Sequence, residues 1–351
     1  MARALKFISE PELDPLMVEC PHCGGCDRLG IHHRAERLYI CHACKKTFSE
    51  TKGTVFANLH YPSWVVVLVL KLLAYGCPPQ AIVQALYLDE RTIAEWQAKA
   101  GQKGKQVQEE VVCNGQVDLG QAQADELCVN TQDGKAWMAT AMVVFSRLWL
   151  WGEVSPSRDR HLILRLMQKV AQAAASTTQP VLLAVDGFAA YPKAILRAFH
   201  TKVYTGEPGR PRHLTWPNLN IVQVVKSRQG RKLTAVDTRL AFGCWQQVYA
   251  LIGLSQLDPG KINTAFIERL NATFRSRMPC LVRRTRQLAR TCQRLELEMF
   301  WSGTVYNFCT VHSSLDATPA MAAGLTDHVW SIDQLLRYGG PHLVTPRTSP
   351  E

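Results

Sequence analysis

The run PVLLAVDG, residues 180–187, constrains this 351-residue chain more than any other stretch. Five apolar residues in a row, with no polar alternation, describe a strand buried on both faces, and such strands belong to sheets covered by helices on each side. The run closes on Asp186. A carboxylate at the C-terminal end of a core strand is costly to bury unless it binds something. One segment therefore predicts both an α/β core and a reactive end to it.

The neighbouring segments build that core. ADELCVN, AWMATAMVVFS and LWLWGEVS read as three strands, rich in branched and aromatic residues. RDRHLILRLMQKVAQAAAS reads as a helix with Leu162, Leu166 and Val170 on one face, and YPKAILRAFH as a shorter one. NIVQVVKSRQGRKLTAVDT reads as two strands around a Gln-Gly turn. Two helices follow, one carrying Glu268 and one from about Gln287 to Asn307. Three strands, a helix, a strand ending in Asp and then helices is a ribonuclease-H-like order. The predicted fold class is α/β, a mixed sheet flanked by helices.

Two smaller parts precede it. CPHC and CHAC place Cys20, Cys23, Cys41 and Cys44 in two C-x-x-C pairs separated by seventeen residues, spacing that suits a tetrahedral Zn²⁺ in a zinc ribbon. Cys26, His22 and His42 lie close enough to compete as ligands. So short a segment has little core, and metal binding would supply folding energy. The apolar run WVVVLVLKLLAYG, interrupted by Lys71, is too short to span a bilayer and reads as a core helix. PPQAIVQAL and LDERTIAEWQAKAG follow as two further helices, with Ile93, Trp96 and Ala100 inward. Together they predict a trihelical helix-turn-helix offering Arg91, Thr92, Glu95 and Lys99 to a major groove. The expected organisation is a zinc ribbon over 1–60, a helix-turn-helix over 61–105, the α/β domain over 115–338 and a loose tail over 339–351.

Charge points the same way. The net charge is +11, yet residues 1–110 hold thirteen basic and twelve acidic side chains. The excess lies in 193–239, with ten basic and two acidic residues, and in 269–294, with eight arginines and no acid. An anionic partner such as nucleic acid is expected. No secretory segment is evident in MARALKFISEPEL, and cysteine crowding fits a reducing compartment, so a cytoplasmic setting is expected.

The second basic stretch begins beside an acid, in FIERLNATFR. On a helix from Ile262 to Arg277, Ile262, Phe266, Leu270 and Phe274 form one stripe, while Thr264, Glu268, Asn271 and Arg275 cluster on the opposite face. Asp125 sits in the first strand, a neighbour of the fourth in the expected order. Asp118, in GQVDLG, competes with it. Asp125, Asp186 and Glu268 converging would need divalent cations, Mg²⁺ or Mn²⁺ for oxygen ligands, and a pair of such ions can run phosphodiester chemistry.

The blocks DEL at Asp125, VDGFAAYP at Asp186 and IERLNATFR at Glu268 resemble those of DDE transposases. With the cysteine pairs and helices in front, the chain is similar to the insertion sequence 1 family of bacterial transposases over roughly residues 18–320. The resemblance implies Asp125, Asp186 and Glu268 as the metal-binding triad; Arg269, Asn271 and Arg275, beside Glu268 on its helix, are read as holding the DNA strand. It also implies front modules bound to terminal inverted repeats of double-stranded DNA; because two element ends must be held together, a homodimer or higher assembly is expected. A nuclease that cuts without joining and a regulator using only the front modules are the rival expectations. The chain departs from the family pattern at Cys128, where an aromatic residue is common, and in its long interval between Asp186 and Glu268.

Overall fold

The computed structural model describes residues 18–25, 28–34, 36–174, 179–204, 210–230, 232–254 and 262–339, without the side chains of Arg228, Lys232 and Leu233. The contacts divide the chain into two compact units. One holds the described residues of Met1–Lys103 and Trp330–Glu351, the other Gly104–Val329.

The first unit opens with three short antiparallel strands, β1 (Leu29–His33), β2 (Leu38–Cys41) and β3 (Thr47–Ser49), in that spatial order. Their core is small: Val18, Tyr39 and Phe48 bury themselves with Cys20 and Cys41. Three helices follow, α1 (Ser63–Ala74), α2 (Pro79–Leu86) and α3 (Glu90–Val107), the last of which belongs to this unit as far as Lys103. In α1 the buried positions Val65, Val66, Val69, Leu70 and Leu73 recur at helical spacing, which leaves Lys71 outside. Gly76, at φ +84°, ends that helix, and the N–H groups of Gly76 and Cys77 close on the carbonyls of Leu73 and Leu72. Ile93, Trp96 and Ala100 of α3 are buried as the spacing predicts. A capped helix, Ile332–Arg337, joins this unit, with Val55 N–H donating to the Leu336 carbonyl at 3.1 Å.

The second unit is built on a six-stranded mixed sheet. An antiparallel meander of β4 (Gln121–Thr131), β5 (Gly134–Val143) and β6 (Trp149–Ser155) leads into α4 (Arg160–Ala173), β7 (Val181–Asp186) and α5 (Ala190–Ala198). A small separate hairpin, β8 (His200–Val203) and β9 (Arg212–Thr215), precedes β10 (Leu219–Gln229) and β11 (Lys232–Phe242). Then come α6 (Trp245–Leu254), α7 (Ala265–Arg277), α8 (Cys292–Cys309) and α9 (Pro319–Ala322). The strand order is β11-β10-β7-β4-β5-β6, with β7 parallel to both β4 and β10. This mixed α/β architecture is compatible with a ribonuclease-H-like fold.

The apolar run predicted as a doubly covered strand is β7, central in the sheet and buried from Val181 to Val185. Asp159 caps α4, its carboxylate accepting the N–H groups of His161 and Leu162. The helix expected from Gln287 starts later because Thr291 caps it, accepting from Arg294 N–H. α8 is buried on all sides from Met299 to Phe308 and lies against β6. Gln108 and Asn307 clamp that strand: their side-chain amides donate to the Trp149 carbonyl at 2.8 Å each, and Asn307 accepts from Trp149 N–H at 3.0 Å. Among the described residues no helix is long and apolar enough to cross a membrane.

Candidate metal centres

The cysteines form the first centre. Cys20 and Cys23 flank one tight knuckle and Cys41 and Cys44 another. Gly24 N–H returns to the Cys20 carbonyl at 2.8 Å, and Lys45 N–H to the Cys41 carbonyl at 2.8 Å. The residue after each pair, Gly24 or Lys45, has positive φ, at 70° and 59°. The hairpin β1–β2 then brings the knuckles together. Cys20 Sγ lies 3.7 Å from Cys44 Sγ, Cys23 Sγ lies 3.6 Å from Cys41 Sγ, and all four fall within 4.8 Å of one another. Four thiolates bound tetrahedrally at about 2.3 Å stand about 3.8 Å apart, so the cluster has the dimensions of a zinc site. In the metal-free cluster the Cys44 and Ala43 N–H groups hold Cys41 down to about 7, while burial and its thiol neighbours raise Cys44. The thiols around Cys23, against the Gly25 N–H, push it up to about 12; the first thiolate therefore forms at Cys41. His22 faces Lys52 and His42 sits against Gly30, so neither joins the four. Cys26 lies outside the described residues.

The second centre is a cleft of about 480 Å³ at the C-terminal end of β7, lined in part by Asp125, Asp186, Lys226 and Glu268. The parallel register explains why the aspartates meet: Gln123 pairs with Ala184 and Ala124 with Val185, so the next step sets Asp125 beside Asp186. Glu126 completes a group whose carboxylate oxygens lie within 4.8 Å of one another. Its side chain is 2% exposed, and it accepts from Tyr191 Oη at 2.8 Å and from Arg158 Nε at 2.7 Å. Arg158 also reaches Asp186 at 3.4 Å, with its guanidinium 4.2 Å from the Phe188 ring centroid. Asp186 accepts the Phe188 N–H at 2.9 Å.

Glu268 enters from α7 but stands outside that group of three. Its carboxylate is ion-paired to Lys226 and accepts from Thr264 Oγ1 at 3.0 Å. The helix is also rotated from the expected stripe. Ile267, Leu270, Asn271 and Phe274 face the core, while Phe266 is only half-buried. Asn271 is therefore not on an open face. It is 1% exposed, donates to Asp125 Oδ2 at 2.9 Å and accepts from Thr140 Oγ1 at 3.2 Å. Arg269 is exposed and Arg275 half-buried. On α3, Arg91 and Glu95 are exposed, and Thr92 and Lys99 half-buried. Asp118 is spent on the Gly120 N–H at 3.0 Å and lines a different cavity. Outside the cluster, Cys128 and Cys244 are exposed, whereas Cys113 and Cys280 are buried.

The cleft is short of positive charge. Asp125, Glu126, Asp186 and Glu268 carry four negative charges when ionised, against two from Arg158 and Lys226, a deficit of two. Burial, then the charges of Glu126 and Asp186, push Asp125 up to about 6. Burial and Asp186 likewise raise Glu126. A crowded, partly desolvated oxygen donor set with unbalanced negative charge fits a hard divalent cation. Sequence reasoning missed Glu126 and Arg158. Strand alternation argues against Glu126 sharing a site with its neighbour, and Arg158 precedes a helix with no pattern of its own. Comparison with known proteins finds no matching family and no matching curated relative.

Proposed function

We propose that the chain is a DDE-type transposase, similar to the insertion sequence 1 family, that cuts and joins DNA. The observation that carries this reading is the meeting of Asp125 and Asp186 across two adjacent parallel strands, in a cleft that Glu268 enters from α7. Asp125, Asp186 and Glu268 would hold the catalytic cations, with Glu126 behind them. Bound there, Mg²⁺ or Mn²⁺ supplies activation of the attacking oxygen and neutralisation of the departing one.

The chain's own groups prepare the cleft. Asn271 fixes Asp125 by its amide, so that carboxylate is aimed before any ligand arrives. Lys226 and Arg158 hold Glu268, Glu126 and Asp186 in place by ion pairs. Water hydrolyses the phosphodiester at the element end and frees a 3′-hydroxyl. That hydroxyl attacks a target phosphodiester in line, one P–O bond forming as another breaks.

The front of the chain fits a DNA-holding role. The four-cysteine cluster is the zinc site of a ribbon, and α1–α3 act as a helix-turn-helix whose Arg91, Thr92, Glu95 and Lys99 read the terminal repeats. Arg269 and Arg275 hold the strand near Glu268. The protein works in the bacterial cytoplasm as a dimer or higher assembly, since two element ends must be held together.

The test is a plasmid bearing the DNA that flanks the gene, incubated with full-length protein and Mg²⁺. Wild-type protein should nick at the element ends and, given a pre-cleaved end, join it to target DNA. Asp125→Asn, Asp186→Asn and Glu268→Gln should each abolish both steps. Cleavage surviving in all three variants sinks the reading, and cleavage without joining leaves only a nuclease.

A further inference from the structure

We infer that the loop from Val282 to Arg290 is a phosphate-backbone clamp for the DNA strand leaving the carboxylate cleft; this rests on the transposase reading. Arg283, Arg284 and Arg286 are exposed, and none of them makes an ion pair among the described residues. Their surroundings offer no acid in the sequence from Arg269 to Leu295. Three unpaired guanidiniums on one loop repel one another and suit a polyanion, each able to grip a phosphate through two parallel N–H bonds.

The loop is fastened at both ends. Leu281 and Ala289 are buried. Thr285 N–H donates to the Val282 carbonyl at 3.2 Å, and Gln287 N–H to Thr285 Oγ1 at 3.0 Å. Arg284 holds φ 60°, a left-handed conformation unfavourable for a side chain of its kind. A surface that is both charged and pre-shaped binds at lower entropic cost than a free tail.

Its place on the sheet names the partner. β5 occupies one edge of β4 from Ala122 to Thr131, so β7 must pair with the other edge, which it does as far as Ala124. Thr131 forms a parallel bridge to Ala289, with Gln132 N–H donating to the Ala289 carbonyl at 3.0 Å. That bridge lies on the β7 edge. Asp125 and Thr131, the strand's bridge to Ala289 at the end of the arginine loop, are therefore six residues apart on one edge of one strand, or about 20 Å. At about 3.4 Å per nucleotide of one DNA strand, the loop's anchored end stands about six nucleotides from the reacting phosphate.

The experiment measures binding of a duplex element end to full-length protein without added Mg²⁺, across about 50 to 200 mM salt. Replacing Arg283, Arg284 and Arg286 together by Ala should make the plot of log affinity against log salt shallower by about 2 to 3, at about 0.9 per lost contact. The triple Lys variant should keep most of the slope, which separates lost charge from lost folding. Phosphate ethylation of the duplex should interfere with wild-type binding about six nucleotides from the cleaved bond. An unchanged slope in a folded triple Ala variant, or interference confined to the cleaved position, overturns the clamp while leaving the transposase reading intact. A lost slope in a protein that never cleaves DNA would do the reverse. A wild-type protein without affinity for DNA would overturn both.

Discussion

Arg158 is the counter-charge of a carboxylate that has almost no water: its Nε donates at 2.7 Å to Glu126, whose side chain is 2% exposed. Removing one partner of a buried ion pair costs far more than the pair contributes, because the other charge stays behind. Arg158→Ala should destabilise the cation-free protein by roughly 3 kcal/mol. Excess Mn²⁺ should recover much of that loss, since a cation among the same oxygens replaces the missing charge. Urea midpoints with and without Mn²⁺ check this. A loss that Mn²⁺ does not touch would make Arg158 a scaffold residue only.

Asp125 makes stability depend on pH in a stated direction. Its folded-state value, about 6, lies above the ordinary 3.8, so between those values the native state holds a proton that the unfolded chain has released. Stability without divalent cations should therefore fall as pH rises from about 4 to 6, and stay low above that window. Asp125→Asn should weaken this dependence, leaving the part that the raised Glu126 contributes in the same direction, and be more stable than wild type at pH 7.5 by about 2 kcal/mol. Its melting temperature should rise less on adding Mg²⁺. Melting curves across pH decide the matter.

The thiol cluster should bind one Zn²⁺ per chain, and a chelator should unfold the segment around β1–β3, because Val18, Tyr39 and Phe48 are its main apolar core. Cys41→Ser should do the same without chelator. Lys45→Gly should tighten the site, since a left-handed φ of 59° costs a lysine about 1 kcal/mol that glycine is spared. Zinc release against chelator concentration, by metal analysis, orders the three proteins.

Gly303 is required for packing. A Cβ there would overlap the indole ring of Trp149, itself buried against Phe274 and Phe300 at ring distances of 5.7 and 5.5 Å. Gly303→Ala should cost about 2 kcal/mol or more by overpacking, with the sheet edge at β6 loosened first. Gly253→Ala, where a Cβ meets open space, is the control and should be neutral or slightly stabilising. Denaturation midpoints separate them.

What the sequence disclosed follows from how local each signal is. β7 was legible because burial on both faces writes an unbroken apolar run, and α4 because one buried face repeats every three to four residues. The thiol cluster was legible because two knuckles have a fixed spacing. β8 and β9 were not, since exposed residues such as Lys202 and Leu214 carry no alternation. α7 was rotated in the reading because Asn271, a polar residue, occupies a core position, and its reason for being there is Asp125, 146 positions earlier in the chain. Arg158 escaped for the same cause: partnerships across the sheet leave no trace in either neighbourhood.

The first unit is closed by residues from the far part of the chain. Leu336 accepts from Val55, and Lys103 donates to the carbonyls of Gly53 and Tyr338. During synthesis, the front of the polypeptide must therefore wait, incompletely assembled, until everything between has left the ribosome. A product truncated before Trp330 would lack the carbonyls of Leu336 and Tyr338 that these groups bind, and its front unit would be left short of its closing strap.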